Sequence, residues 1–152
     1  MHLEKLVGAI VGIAMLLTIF LVPFSSAISV LAGAQDTLYI IFHFFLENLG
    51  SIPNLPNTAL ELIAYFYFFG TILLIVGGVL GSYPLLSGGL ELSGMVLLTV
   101  SEFFSPQYTP STVVYGFGFY LLWGLSIAQT VQTVTIRRSK IRIRLETNLG
   151  KN

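Results

Sequence analysis

The 152-residue chain is 55% hydrophobic and only 9% charged, and its formal net charge at pH 7 is zero. A soluble domain carries about 25% charged residues. This composition, with a mean hydropathy of +0.86, therefore excludes an ordinary soluble domain and indicates an integral membrane protein. The chain has no cysteine and only two histidines, His2 and His43. That excludes disulfides, thiolate metal sites and a cysteine nucleophile, and it leaves too few ligands for a multi-histidine metal centre.

Four apolar segments are long enough to cross a bilayer, which takes about 20 residues. They cover residues 6–31, 59–80, 85–104 and 111–134, and they predict an all-α membrane protein built as a four-transmembrane-helix bundle. The first segment is longer than one span requires, so we expect it to tilt, to bend at Pro23 or to extend beyond the lipid. A signal peptide cleaved after Ala34 is the alternative, although the apolar run from Leu6 to Phe24 exceeds the usual length of about 7–15 residues.

A short helix is predicted in the first loop, over residues 36–48, "DTLYIIFHFFLEN". Asp36 is of the capping type, and Gly50 and Pro53 follow the segment. About a dozen apolar residues are too few to span a bilayer, so we expect an interfacial or re-entrant helix. His43 lies on this apolar stretch, and we interpret it as an interfacial or hydrogen-bonded residue rather than a metal ligand.

The basic residues set the orientation. Six of the seven Lys and Arg residues follow the fourth segment, and the seventh, Lys5, precedes the first. Positive charge next to spans stays on the cytoplasmic side, so residues 1–134 are predicted to form the membrane domain and residues 135–152 a basic cytoplasmic tail. Both termini are then cytoplasmic, the turn at residues 81–84 is inside, and residues 32–58 and 105–110 are outside. The plasma membrane is the expected location.

The tail segment "KIRIRLE", residues 140–146, alternates basic and apolar side chains. That period of two favours a strand, which would need a partner strand or a lipid surface to rest on. Anionic lipid headgroups are the favoured contact of the tail, and pairing with another subunit is the alternative. Nucleic-acid binding would need more than one short basic arm. The predicted contact residues are Arg137, Arg138, Lys140, Arg142 and Arg144.

Small residues recur four positions apart in the spans. The pairs are Gly8 with Gly12, Gly77 with Gly81, and Gly89 with Ser93. Such pairs let helix backbones approach closely in lipid. We expect packing inside the bundle, with a dimer interface as the alternative.

Glu91, in "SGGLELSG", is the strongest candidate for chemistry. It lies about 9 Å along the third span, where a carboxylate costs about 2.5–3.5 kcal/mol to insert, and no Lys or Arg within a span can neutralise it. A protonated carboxyl that binds a proton or cation is one interpretation. The other is a structural residue near the interface or hydrogen-bonded to Ser87, Ser93 or Gln129.

Four acidic residues lie toward the outer side: Asp36, Glu47, Glu61 and Glu102. With no basic residue there, they could form a shallow acidic mouth that attracts cations. Solvated span ends are the favoured interpretation.

No catalytic constellation, cofactor motif or metal site is apparent, so we predict no enzymatic activity. The favoured function is a structural or accessory subunit that associates with other membrane subunits or with copies of itself in the lipid bilayer. A small proton- or cation-conducting protein that uses Glu91 is the alternative, and an envelope or virion membrane protein is a weaker one.

Overall fold

The computed structural model describes residues 3–27, 35–54, 58–104 and 113–149. The elements in chain order are α1 (Leu3–Leu21), β1 (Pro23–Ala27), β2 (Gln35–Thr37), α2 (Leu38–Glu47), a 3₁₀ helix (Leu49–Asn54), α3 (Thr58–Val79), α4 (Pro84–Phe104), β3 (Val113–Tyr115) and α5 (Phe117–Leu149). The chain is predominantly helical. The second and third predicted segments, residues 59–80 and 85–104, match α3 and α4 closely.

Three of the described helices are long and apolar enough to cross a membrane: Leu3–Leu21, Glu61–Val79 and Pro84–Ser101. This is compatible with an integral membrane protein. Helix α5 is longer still, but it is not among the three. Polar residues such as Gln129 and Gln132 interrupt its apolar part and lower its mean hydropathy.

The first predicted segment was wrong as a single helix over residues 6–31, because α1 ends at Leu21. Pro23 has no amide to donate and restrains the residue before it, so the helix stops there. The chain continues as β1, which pairs antiparallel with both β2 and β3 in the order β2-β1-β3. This small sheet was not predicted, and it makes the all-α description incomplete. Residues 28–31 lie outside the described part.

The fourth predicted segment, residues 111–134, also differs at its start. Residues 113–115 form β3, whose β-branched Val113 and Val114 suit a strand. The amide of Gly116 then donates to the carbonyl of Phe24 at 2.9 Å, and α5 begins at Phe117.

The basic tail is helical, and the predicted strand over residues 140–146 was wrong. Helix α5 continues for 33 residues to Leu149 without a break at residue 135. Extending an existing helix costs little, and Lys, Arg, Leu and Glu are good helix formers. A lone strand would lack a hydrogen-bonded partner. Alternation of charge along the sequence did not decide the backbone conformation here.

A helix is present in the first loop, as predicted, although its cap is one residue later than expected. Thr37, not Asp36, is the N-cap of α2, and its hydroxyl accepts a hydrogen bond from the amide of Ile40 at 3.4 Å. At the other end, the side chain of Asn48 donates to the carbonyl of Phe44 at 2.8 Å. The 3₁₀ helix follows directly and contains Pro53.

The four long helices contact one another in a ring, α1 to α3 to α4 to α5 and back to α1. The interior is apolar over most of its length. Its fully buried large side chains are Met15, Ile19, Phe24, Leu38, Leu74, Met95, Leu98 and Leu122. Toward the end where α3 turns into α4, the interior becomes polar.

Candidate functional site

Glu91 lies at the centre of this polar region. Its side chain is fully buried, with 0% of its surface exposed. One carboxyl oxygen, Oε1, lies 2.8 Å from the hydroxyl oxygen of Ser87, one helical turn earlier on α4. Space for the carboxyl comes from α3, where a Cβ on Gly77 would lie only 2.6 Å from Glu91 Cγ.

Ser87 connects three helices through one hydroxyl group. Its Oγ lies 2.9 Å from the carbonyl oxygen of Gly77 on α3, and it accepts a hydrogen bond from Gln129 Nε2 of α5 at 3.1 Å. The amide of Gly81, which would complete the helical bond to Gly77, bonds to the carbonyl of Gly78 instead at 3.2 Å. Ser87 therefore supplies a donor for a carbonyl at the end of α3.

The hydrogen count at Ser87 favours a neutral Glu91. A hydroxyl has one proton to donate and two lone pairs that accept. If Ser87 donates to Gly77, then Glu91 must supply the proton of the 2.8 Å contact as a carboxylic acid. If Glu91 is ionised, Ser87 donates to it and leaves the Gly77 carbonyl without that bond. Only the neutral acid satisfies all three neighbours of the hydroxyl.

Gln129 is the second fully buried polar residue of the site. Besides Ser87, its Nε2 donates to the carbonyl of Gly81 at 3.2 Å. Three buried oxygen atoms around the site have no hydrogen-bond partner among the described residues: Glu91 Oε2, Gln129 Oε1 and Ser126 Oγ. Ser126 lies one turn before Gln129 on the same face of α5. The site thus has unused acceptor capacity.

Further polar side chains of α5 bond to the backbone of other helices. Thr130 Oγ1 lies 3.2 Å from the carbonyl oxygen of Gly88 on α4 and 2.8 Å from that of Ser126 on its own helix, so the two carbonyls share its one proton. Thr133 Oγ1 lies in the same way between the carbonyls of Pro84 and Gln129. On the side of α1, Gln132 Nε2 donates to the carbonyl of Glu4 at 2.7 Å. The carbonyl partners of these side chains depend on helix packing and are not encoded in a local sequence pattern.

The predicted small-residue pairs separate into two groups. Gly8 and Gly12 of α1 face Gly81 and Gly78, where an added Cβ would run into a carbonyl oxygen. These residues lie inside the bundle.

Gly77 also lies inside the bundle, against α4. The pair on α4 differs. Gly89 and Ser93 are exposed, and nothing in the described chain lies within 4 Å of a Cβ built on Gly89. Gly70 and Gly94 also approach each other closely, since a Cβ on Gly94 would lie 2.7 Å from the Gly70 carbonyl oxygen. This contact was not predicted, because neither glycine has another small residue four positions away.

The outer acidic residues do not gather into a site in the described part of the chain. Glu47 pairs with His43, one turn earlier on α2, with 3.2 Å between Nε2 and Oε1. Glu61 is half-buried in the first turn of α3. The side chains of Asp36 and Glu102 lie outside the described part. Among the described residues, no three His, Cys, Asp or Glu side chains are placed to hold a metal ion.

The basic residues that are described lie on the surface. Arg137, Arg138 and Arg142 are exposed on α5, while the side chains of Lys140 and Arg144 lie outside the described part. Lys5 is exposed at the start of α1, and its Nζ lies 5.9 Å from the centre of the Tyr83 ring. All of these described basic residues except Arg142 belong to the end of the bundle that carries the α3–α4 turn.

Comparisons with known protein families, curated proteins and solved structures find no match for this chain. The class that the fold defines is a helical protein with three helices able to span a membrane.

Proposed function

We propose that this chain is a non-catalytic integral membrane subunit with four spans and with both termini in the cytoplasm. In this proposal it acts as a structural or accessory component of a larger membrane assembly or of a homo-oligomer. The plasma membrane is the proposed location, and the positions of the basic residues beside the spans support the cytoplasmic termini.

The fourth span in this proposal is the part of α5 from residue 117 to about residue 134. Polar groups inside a bilayer need internal hydrogen-bond partners. The amide group of Gln129 and the hydroxyls of Thr130 and Thr133 have such partners on neighbouring elements. The low hydropathy of α5 is therefore compatible with a span, because these polar groups face other helices rather than lipid. Helix α2, with ten residues, is too short to cross and is proposed as an interfacial helix.

The observation that carries the structural role is the bonding of side chains to backbone carbonyls between helices. Five side chains lie within hydrogen-bond distance of such a carbonyl: Ser87, Gln129, Thr130, Gln132 and Thr133. In membrane proteins such contacts average about 0.6 kcal/mol each. Four of the five side chains belong to α5 and hold it against its neighbours, and the fifth, Ser87, joins α4 to α3.

The subunit role is supported by the outward pair on α4. Gly89 and Ser93 are exposed and present a small-residue surface, and nothing in the described part of the chain lies within 4 Å of a Cβ built on Gly89. Leu86 and Val96 flank the pair and are 54% and 45% exposed. This geometry fits the close approach of a helix from a partner subunit or a second copy.

The test is the mass and composition of the particle extracted from native membrane in a mild detergent. We expect a particle larger than one chain, and we expect Gly89→Leu with Ser93→Leu to reduce its mass. The control is Ile13→Phe, which adds bulk to an exposed position of α1 that lacks a small-residue pair and should leave the mass unchanged. A single-chain particle for the unmodified protein would contradict the proposal.

A second candidate function is proton or cation conduction through Glu91. The three buried oxygens without partners favour it, since unused acceptors are what a transported cation would contact. Purified protein in liposomes should then pass protons or sodium, and Glu91→Gln should abolish that flux. Equal flux for the variant and the unmodified chain would remove this candidate while leaving the structural role intact.

A further inference from the structure

An apolar groove of about 510 Å³ opens at the end of the bundle that carries the basic residues. Its lining comes from three parts of the chain: the start of α1, the α3–α4 turn with the first turn of α4, and Ile136 of α5. Leu80, Leu85 and Leu86 supply much of the apolar surface. The volume lies within the range of about 300–1,000 Å³ that is typical of small-molecule sites, which are mostly apolar with a few polar groups that fix orientation.

The polar group at the rim is a cation. Lys5 lines the groove, and its ammonium nitrogen lies 5.9 Å from the ring centre of Tyr83, which also lines it. A cation over an aromatic face is held near it while its N–H groups stay available to an anion. Among the described residues, no carboxylate pairs with Lys5, and Glu4 is the one acidic residue of the lining.

Two more positive charges lie close to this rim. Gln132 bonds to the carbonyl of Glu4, which fixes α5 beside the start of α1. Ile136 follows one turn later and lines the groove, and Arg137 and Arg138 come directly after it. Both arginines are exposed, and neither forms an ion pair with a described residue. The lining itself holds one cation and one carboxylate, Lys5 and Glu4, and the two arginines add positive charge on α5 directly after the lining residue Ile136.

We propose that this groove binds one anionic phospholipid, with an acyl chain against the leucines and the phosphate headgroup at Lys5, on the side of the bundle where Arg137 and Arg138 follow Ile136. A soluble anion would leave the apolar lining without contacts, and an uncharged acyl compound would leave the cation at the rim without an anionic partner. An anionic lipid contacts both. Basic pockets between spans on the cytoplasmic side are known to select such headgroups. The inference rests on the four-span arrangement proposed above, which places the rim at a membrane surface.

The test is native mass spectrometry of the full-length protein in detergent, mixed with phosphatidylglycerol and phosphatidylcholine of identical acyl chains. We expect one phosphatidylglycerol to be retained in preference to phosphatidylcholine. Lys5→Gln should weaken that retention about fivefold, the effect of one basic side chain near an anionic headgroup. Ser82→Trp, which fills the groove from the turn that lines it, should abolish the preference.

The matched control is Lys151→Gln, which removes the same charge at the far end of the tail and should leave retention unchanged. Equal retention of the two lipids would overturn the proposal, as would an equal loss in Lys5→Gln and Lys151→Gln. Displacement of the lipid by inorganic phosphate would also overturn it, because the headgroup alone would then be the ligand. The mass of the extracted particle separates failure of the lipid site from failure of the proposed function. If Lys5→Gln is extracted in detergent as a particle of unchanged mass, the substitution has affected the lipid site and not the assembly.

Discussion

At the scale of single residues, Glu91 has neighbours that suit a neutral acid better than a carboxylate. We expect Glu91→Gln to change the free energy of unfolding by less than about 1 kcal/mol, because the amide nitrogen can donate to Ser87 as the acid does. Glu91→Ala should cost about 2 kcal/mol or more, since it removes the bond and leaves a cavity beside Gly77. Unfolding in mixed detergent micelles measures both. An equal loss in both variants would contradict the neutral acid.

The contact of α1 with α3 requires glycine, which is a second feature at the scale of single residues. Gly12→Ala would place a Cβ against the carbonyl oxygen of Gly78, and we expect it to destabilise the protein by about 1–3 kcal/mol through overpacking. Gly124→Ala, on an exposed position of α5, is the matched control, because nothing in the described chain lies within 4 Å of a Cβ built there. Alanine there should be neutral or slightly stabilising in a helix. Equal effects on thermal unfolding would contradict the packing argument.

At the scale of elements, α5 is the helix that sequence patterns described least well. Its apolar half was recognised, but its start was placed too early and its basic half was predicted as a strand. Hydrogen-bonding partners explain both differences. Val113 and Val114 lie opposite Ala27 and Ser26 of β1, while the basic half has a preceding helix to extend and no neighbouring strand.

The helical tail can be checked by cysteine scanning, because the natural chain has no cysteine. Single substitutions over residues 135–142, each carrying a spin label, should give accessibility with a period of 3.6 residues in nanodiscs. The physical reason is that one face of the helix points toward lipid headgroups and the other toward water. A period of two would restore the strand and contradict the continuous helix.

At the scale of the whole molecule, the topology can be tested by labelling. We expect Ser51→Cys, in the 3₁₀ helix, to react with a membrane-impermeant maleimide in right-side-out vesicles. Ser82→Cys, in the α3–α4 turn, should react only after the membrane is permeabilised, because the basic residues keep that end inside. The cysteine-free chain is the control. Labelling of Ser82→Cys in sealed vesicles would contradict the orientation.

The sequence by itself determined that the chain has helices able to span a membrane, the limits of α3 and α4 to within one residue, and the helix in the first loop. The length of an apolar run and the scarcity of charge are local properties of the sequence. They indicate a span directly, because a bilayer solvates apolar side chains and not charged ones. The tertiary structure alone decided which glycines face inward, which carbonyls the polar side chains of α5 reach, and that Lys5 and Ile136 line one groove. These depend on contacts between segments as much as 128 residues apart, and helix packing, rather than any periodicity along the chain, determines them.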